Sequence, residues 1–313
     1  MKSKKEFLLL ALIIVVLGVY LFMRSTDRVH YDLPVLSPVD PAEITSVEIT
    51  TGTSTLVLTR VDETWHLTPA QWPADSSMMQ DILKVLELLK ISDLVSKAKA
   101  YTRYDLDAVN GISVQAYNEG TLIRDFILGK TAPTYRHTFI RLSGDDNVYM
   151  AEGDFRRVFD VTPEMMRDKL VLSFPKEEIT RITIIGKDTA VTVSSEEIGE
   201  KNDSEGTEPK ASVTWKNDQG QDIEPSVVSA LLSPLSRLLC ETYLNDREPA
   251  DLTDPLYTIS LSGKNDYSLS IYASSQHQEN PAASSQTPFV FLMPDYLMEK
   301  IEEFITKAQK IQE

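Results

Sequence analysis

Apolar and polar residues alternate in short runs through most of the chain, and the runs come twice. Ile44-Thr45-Ser46-Val47-Glu48-Ile49 returns 135 residues on as Ile179-Thr180-Arg181-Ile182-Thr183-Ile184. Thr64-Trp65 returns 150 residues on as Thr214-Trp215, and Ile82, Val85, Leu88, Leu89 return at the same 150 as Leu232, Leu235, Leu238, Leu239. The difference falls in the polar segment 195–211, which carries Gly and Pro without apolar periodicity and reads as a mobile hairpin tip. The pattern predicts a tandem duplication with a loop inserted in the second copy.

Period two places side chains on alternate faces of a strand. It predicts a hairpin through Thr45, Val47, Ile49 and Leu56, Leu58, then a third strand at Trp65 and Leu67. Asp75 or Ser76 caps a helix whose apolar residues Met79, Ile82, Leu83, Leu86 and Leu89 share one face. Further strands follow at 94–99, 113–117, 122–128, 138–142 and 147–150, with Asn118-Glu119-Gly120 and Gly144-Asp145-Asp146 as turns. Short helices at 154–160 and from Thr162-Pro163 close the first copy. In the second copy strands are expected at 181–185, 190–193, 213–215, 256–262, 267–272 and 289–292. A helix from Pro225 runs to about Leu239, 274–287 reads as a polar loop, and a last helix opens at Asp295-Tyr296.

The start of the chain follows a different pattern. Residues 1–6 are basic, and 7–23 carry no charge, reaching about 25 Å as a helix at about 1.5 Å per residue. Lys2, Lys4 and Lys5 precede this run, and no small-x-small cleavage site follows it. The expectation is a cytoplasmic tail (1–6), an uncleaved transmembrane signal-anchor (7–23) and an extended proline-bearing linker (24–41). The first repeat then spans 42–174 and the second 175–313. The expected class is α+β: a transmembrane helix followed by two tandem units, each an antiparallel or mixed sheet with helices on one face. Most of the protein would lie on the extracytoplasmic side of a cell membrane. Strands this short, with so few helices, exclude a doubly wound dinucleotide fold.

Composition adds exclusions more than assignments. A net charge of −16 opposes binding to nucleic acid and to anionic lipid heads. Cys240 is the only cysteine, so no internal disulfide forms. His30, His66, His137 and His277 lack metal-ligand spacing. Leu128-Gly129-Lys130-Thr131 ends like a phosphate-binding loop, but Arg124 stands where the required first glycine belongs. Acidic neighbours such as Asp145-Asp146 and Glu196-Glu197 lie in single turns and do not face one another as glycosidase carboxylates must. Trp65 and Trp215 read as core residues sealing hairpin to helix. Trp72, beside prolines, and the basic residues Arg156, Arg157, Arg167 and Lys169 are the candidate contacts for a partner protein. No catalytic residue, cofactor site or metal site emerges.

Several stretches carry a resemblance: the opening Ile44-Thr45-Ser46-Val47-Glu48-Ile49, the run Trp65-His66-Leu67-Thr68-Pro69, the leucine-rich helix, and Met166-Arg167-Asp168-Lys169-Leu170 before Leu172-Ser173-Phe174. Together they resemble the bacterial membrane-anchored family catalogued as domain of unknown function 4340. That family carries a Tyr-Gly-Leu with a proline soon after. Here Tyr104-Asp105-Leu106 replaces the glycine, and the proline is missing. The resemblance implies an accessory subunit of ABC-type transport systems, with an envelope or transporter protein as partner and no catalytic residues. The expected function is a non-enzymatic binding or accessory protein of an envelope complex. The alternative is a domain that binds or hydrolyses cell-envelope glycans.

Overall fold

The computed structural model describes residues 10, 12–21, 32–198, 212–274 and 280–309. The chain divides into two compact units, Met1–Arg167 and Asp168–Glu313.

Unit 1 is built on one sheet of nine strands. Four come before its long helix: β1 (Ser46–Thr51), β2 (Ser54–Val61), β3 (Thr64–Thr68) and β4 (Trp72–Pro73). Five follow it: β5 (Ile91–Ser96), β6 (Ile112–Asn118), β7 (Thr121–Thr131), β8 (His137–Leu142) and β9 (Val148–Glu152). The order across the sheet is β4-β3-β2-β1-β6-β7-β8-β9-β5, and every pairing is antiparallel. Helix α1 (Ser76–Leu88) begins at Asp75, whose carboxylate accepts from the Ser77 and Met78 amides. It buries Met79, Ile82, Val85 and Leu86 in a core with Val47, Ile49, Leu58, Val114 and Phe126. Single-turn helices α2 (Arg156–Phe159) and α3 (Pro163–Met166) add Phe159 and Met166. The Phe159 ring meets Phe126 edge-on at 6.2 Å.

A second cluster, Leu106, Ala132, Phe139 and Val148, lies on the opposite face of the sheet, under the 3-10 turn Tyr101–Tyr104. Gly129 sits inside β7 against that turn. A Cβ there would lie 2.1 Å from the Tyr104 carbonyl oxygen, so Gly129 permits a close backbone approach rather than cradling phosphate. Arg124 points into the main core at 7% exposure. Its Nε donates to the Leu86 carbonyl in the last turn of α1 at 3.4 Å, and its Nη2 donates to the Ser37 carbonyl. Burial pulls its pKa down.

Unit 2 opens with β10 (Leu170–Ser173), then β11 (Ile179–Gly186), β12 (Ala190–Ile198), β13 (Ser212–Asn217) and β14 (Asp222–Ile223). After helix α4 (Pro225–Leu235) come β15 (Arg237–Leu239), β16 (Tyr243–Leu244), β17 (Tyr257–Gly263), β18 (Tyr267–Ile271), β19 (Asn280–Ser284) and β20 (Val290–Met293). Helix α5 (Tyr296–Gln309) completes the unit. The sheet order β14-β13-β12-β11-β17-β18-β19-β20-β16 reproduces that of unit 1 strand for strand. Val47 pairs with Ala116 and Leu58, as Ile182 pairs with Leu261 and Val193. The 135-residue offset is therefore a register offset. Trp65 opposite Arg60 corresponds to Trp215 opposite Ser195. The helices are offset by 149, from the N-cap Asp75 to the N-cap Glu224, because the β13–β14 hairpin is one residue tighter than β3–β4.

The expected class is corrected: the protein is mostly β, two antiparallel sheets, rather than α+β. Two local patterns misled. Leu238 and Leu239 continue the helical spacing, but α4 stops at Leu235 and Arg237–Leu239 pairs with β10. The polar segment 274–287 contains β19, which lies between β18 and β20. The short helices expected after 154 and 162 are present, each a single turn. The pairing of β10 with β15 falls within the second compact unit, which begins at Asp168.

The membrane expectation is corrected as well. Among the described residues no helix is long and apolar enough to cross a membrane. Residues 10 and 12–21 are helical, and 7–9, 11, 22 and 23 lie outside the described residues. The lack of a spanning helix among the described residues overturns the anchor over 7–23, the membrane as a partner, and the cellular placement that depended on both. The tail 1–6 lies outside the described residues. The linker is not free where it is described: Leu33, Leu36 and Val39 pack on the unit 1 core, and Asp40 caps the 3-10 turn Pro41–Glu43. Residues 199–211 of the insert lie outside the described residues, and β12 and β13 extend into its flanks.

Candidate functional site

A spacious recess lies in unit 2, a groove of about 620 Å³ between one end of the sheet and the first turns of α4. Ile179, Val213, Trp215, Pro225, Val228 and Leu232 supply its apolar walls. Thr180, Ser195 and Ser229 supply hydroxyls, and Lys176 and Glu177 stand at one end. Trp215 is 8% exposed, so it forms the floor and offers no open face for sugar stacking. Val213 is 45% exposed on the rim. Ser195 Oγ donates to the Thr180 carbonyl at 3.2 Å, and Lys176 Nζ donates to Ser233 Oγ at 3.3 Å. Glu196 points to the other side of the sheet from Ser195 and holds Lys216 at 2.6 Å, which raises the Lys216 pKa.

The register identifies a local difference between the units at this place. Glu177 corresponds to Ala42 and Ser195 to Arg60. In unit 1 the Arg60 guanidinium donates to the Ala42 carbonyl and spans that gap. In unit 2 serine is too short to reach across, and the space stays open.

The candidate partner-contact residues fall elsewhere. Arg167 is buried, with its guanidinium 4.2 Å from the Trp72 ring centroid, so these two meet and serve the interior of unit 1. Arg156 Nη2 donates to the Asn110 carbonyl at 3.0 Å, with Asp160 3.9 Å from its Nε. Arg157 is exposed. Lys169, in unit 2, is exposed and donates to the Glu241 carbonyl at 2.9 Å.

Trp65 is half-buried and Trp215 buried against their cores. Cys240 is buried just after β15. His137 Nδ1 lies 3.1 Å from Thr134 Oγ1, while His30 and His277 fall outside the described residues. Among the described residues no group of His, Cys, Asp and Glu could hold a metal ion.

The family described as "Domain of unknown function (DUF4340)" matches residues 65–255, more than half of the chain. The chain belongs to this family. No curated protein and no solved structure matches it. The matched span of this DUF4340 chain contains α1, the Trp72–Arg167 contact and the whole groove lining. It also contains Asp105, where the family resemblance carries glycine. Asp105 takes φ 56° and ψ 37°, the left-handed conformation, as the C-cap of the Tyr101–Tyr104 turn. Aspartate tolerates that conformation better than most residues, though less well than glycine.

Sequence reasoning did not find the groove. The signal was present in the pairing Arg60/Ser195, but reading it requires the strand register of both sheets.

Proposed function

We propose that this chain is a non-enzymatic binding protein, an accessory subunit that holds a partner protein by an apolar side chain seated in the unit 2 groove. One observation carries this reading: a tryptophan-floored recess of about 620 Å³ stands open in unit 2 beside Ser195, at the register position where unit 1 has Arg60 donating to the Ala42 carbonyl. Recesses of this size with apolar walls and a few polar groups are the common form of binding sites. The Asp146 carboxylate at a second recess in unit 1 does not suit the general-acid role of the hydrolytic alternative. Asp146 has its pKa lowered by the hydrogen bond from Lys99, the reverse of what a general acid needs.

A photo-crosslinking amino acid at Val213 tests the proposal, with one at Ile185 as the exposed control away from the groove. A discrete adduct from position 213, absent from position 185 and lost when Ser195→Arg is added, is the expected result. Equal labelling from both positions, or an adduct indifferent to Ser195→Arg, overturns it.

A further inference from the structure

A smaller cleft in unit 1, about 300 Å³, lies on the sheet face away from α1. Ser113, Ile127 and Arg141 form a row across β6, β7 and β8, because Ser113 pairs with Ile127 and Ile127 pairs with Arg141. Asp125 is two residues before Ile127 on the same face. It is diagonal to Arg141, a relation that puts the two positions roughly 7–8 Å apart. The turn after β8 brings Asp145 and Asp146 to the rim.

The charges on the rim are already engaged. Asp146 pairs with Lys99 and accepts from the Tyr101 hydroxyl. Asp145 accepts from the Tyr149 hydroxyl at 2.6 Å and from the Asn147 amide at 2.9 Å. Arg141 and Asp125 differ. Among the described residues neither side chain makes a hydrogen bond or a close ion pair, and they do not pair with each other; the Arg141 charge is felt at Asp146, where it helps lower the carboxyl pKa behind Lys99 and Tyr101. The Arg141 guanidinium is nevertheless held, with its carbon 4.4 Å from the Tyr101 ring centroid. Stacking of that kind fixes the plane of the fork and leaves its N–H donors available.

We propose that this cleft binds a small zwitterion, a free amino acid or a close analogue. Its carboxylate would lie on the Arg141 fork and its ammonium on Asp125. Arg141 suits a carboxylate because two parallel N–H donors match two oxygens. A simple anion is a poorer fit, since Asp125, Asp145 and Asp146 outnumber Arg141 and Lys99. A simple cation leaves the Arg141 donors unmatched. A molecule carrying both charges satisfies both groups and leaves the local balance unchanged.

The register gives an internal control. The positions of Ser113, Asp125, Ile127 and Arg141 are taken in unit 2 by Thr258, Ser268, Ser270 and Ala283. None of these is charged, so the site belongs to unit 1 alone and its stoichiometry is one per chain. It is separate from the groove in unit 2, and neither proposal depends on the other.

The test is calorimetric titration of the full chain with glycine, 3-aminopropanoate, 4-aminobutanoate and 6-aminohexanoate. Acetate and methylammonium serve as single-charge controls. The expected result is saturable 1:1 binding of at least one zwitterion, with both controls at least tenfold weaker. Arg141→Gln and Asp125→Asn are each expected to weaken binding tenfold or more while thermal melting shows the fold intact. Absence of saturable binding by every zwitterion overturns the proposal on the wild-type protein alone. Acetate binding as tightly as the zwitterion, a stoichiometry of two, or folded variants that bind normally also overturn it.

Discussion

Arg60 and Ser195 hold the same place in two sheets of identical strand order, and they differ in what they reach. Each pairs directly with its sheet's tryptophan, Trp65 or Trp215. Arg60 crosses to the Ala42 carbonyl, whereas Ser195 Oγ stops at the Thr180 carbonyl. The groove of unit 2 thus has a short serine where unit 1 has an arginine tied to its own backbone.

Ser195→Arg should therefore close the groove, and Arg60→Ser should open its counterpart. With an apolar fluorescent probe as reporter, the first variant is expected to lose most of the wild-type signal and the second to gain a site. Both positions are partly exposed, so the melting temperature should move little. Probe binding that ignores both substitutions would show that the recess is not what the probe detects.

Arg124 joins three parts of unit 1 from inside the core. Arg124→Met keeps most of the stem and removes the donors to the Leu86 and Ser37 carbonyls. Leaving such acceptors without a donor costs about 1–3 kcal/mol, so a loss of about 2 kcal/mol is expected in urea unfolding. A change under about 0.5 kcal/mol, the scale of ordinary surface substitutions, would mean that the donors contribute nothing measurable.

The two N-caps predict an asymmetry. Asp75 accepts from two amides of α1, whereas Glu224 makes no side-chain cap to α4. Asp75→Ala should cost about 1 kcal/mol, and Glu224→Ala should stay within about 0.5 kcal/mol. Equal losses in paired denaturation curves would contradict the geometry.

Asp105 should be improvable. In its left-handed position glycine carries no Cβ penalty, so Asp105→Gly is expected to stabilise unit 1 by about 0.5–1 kcal/mol. A lowered melting temperature would show that the carboxylate has another task in the turn.

The pair Lys99–Asp146 sets a pH dependence at both ends. Asp146 has its pKa lowered by the Lys99 hydrogen bond and charge, and Lys99 has its own raised by the same contact. The Asp146 contribution is present above the ordinary aspartate pKa, about 3.9, and is lost as pH falls through the lowered value. The Lys99 contribution is present below the ordinary lysine pKa, about 10.4, and is lost as pH rises through the raised value. Both side chains are more than half exposed, so salt should screen the effect. Thermal melts across the pH range should show Lys99→Gln and Asp146→Asn flattening both limbs, as about 1 M salt does in the wild type. A wild-type profile insensitive to salt would rule the pair out as the source.

Much of the secondary structure was legible locally. Ile182, Ile184 and Val191, Val193 alternate because one face of β11 and β12 is buried. Asn118-Glu119-Gly120 marks its turn because Glu119 and Gly120 both take positive φ. Other parts were not local. Asn280–Ser284 has the composition of a loop and is a strand only because β18 and β20 flank it. Leu238 has helical spacing and becomes strand only because Leu172 pairs with it.

The order of residues alone determined the alternation, the turn positions, the 135-residue echo and membership in the family, since each rests on neighbours a few bonds apart or on direct repetition. Tertiary structure decided that Arg60 closes a gap that Ser195 leaves open, and that Arg141 and Asp125 face one cleft without touching. Those outcomes depend on which strands lie side by side. Side-chain reach across a sheet is set by register, and no window of sequence contains it.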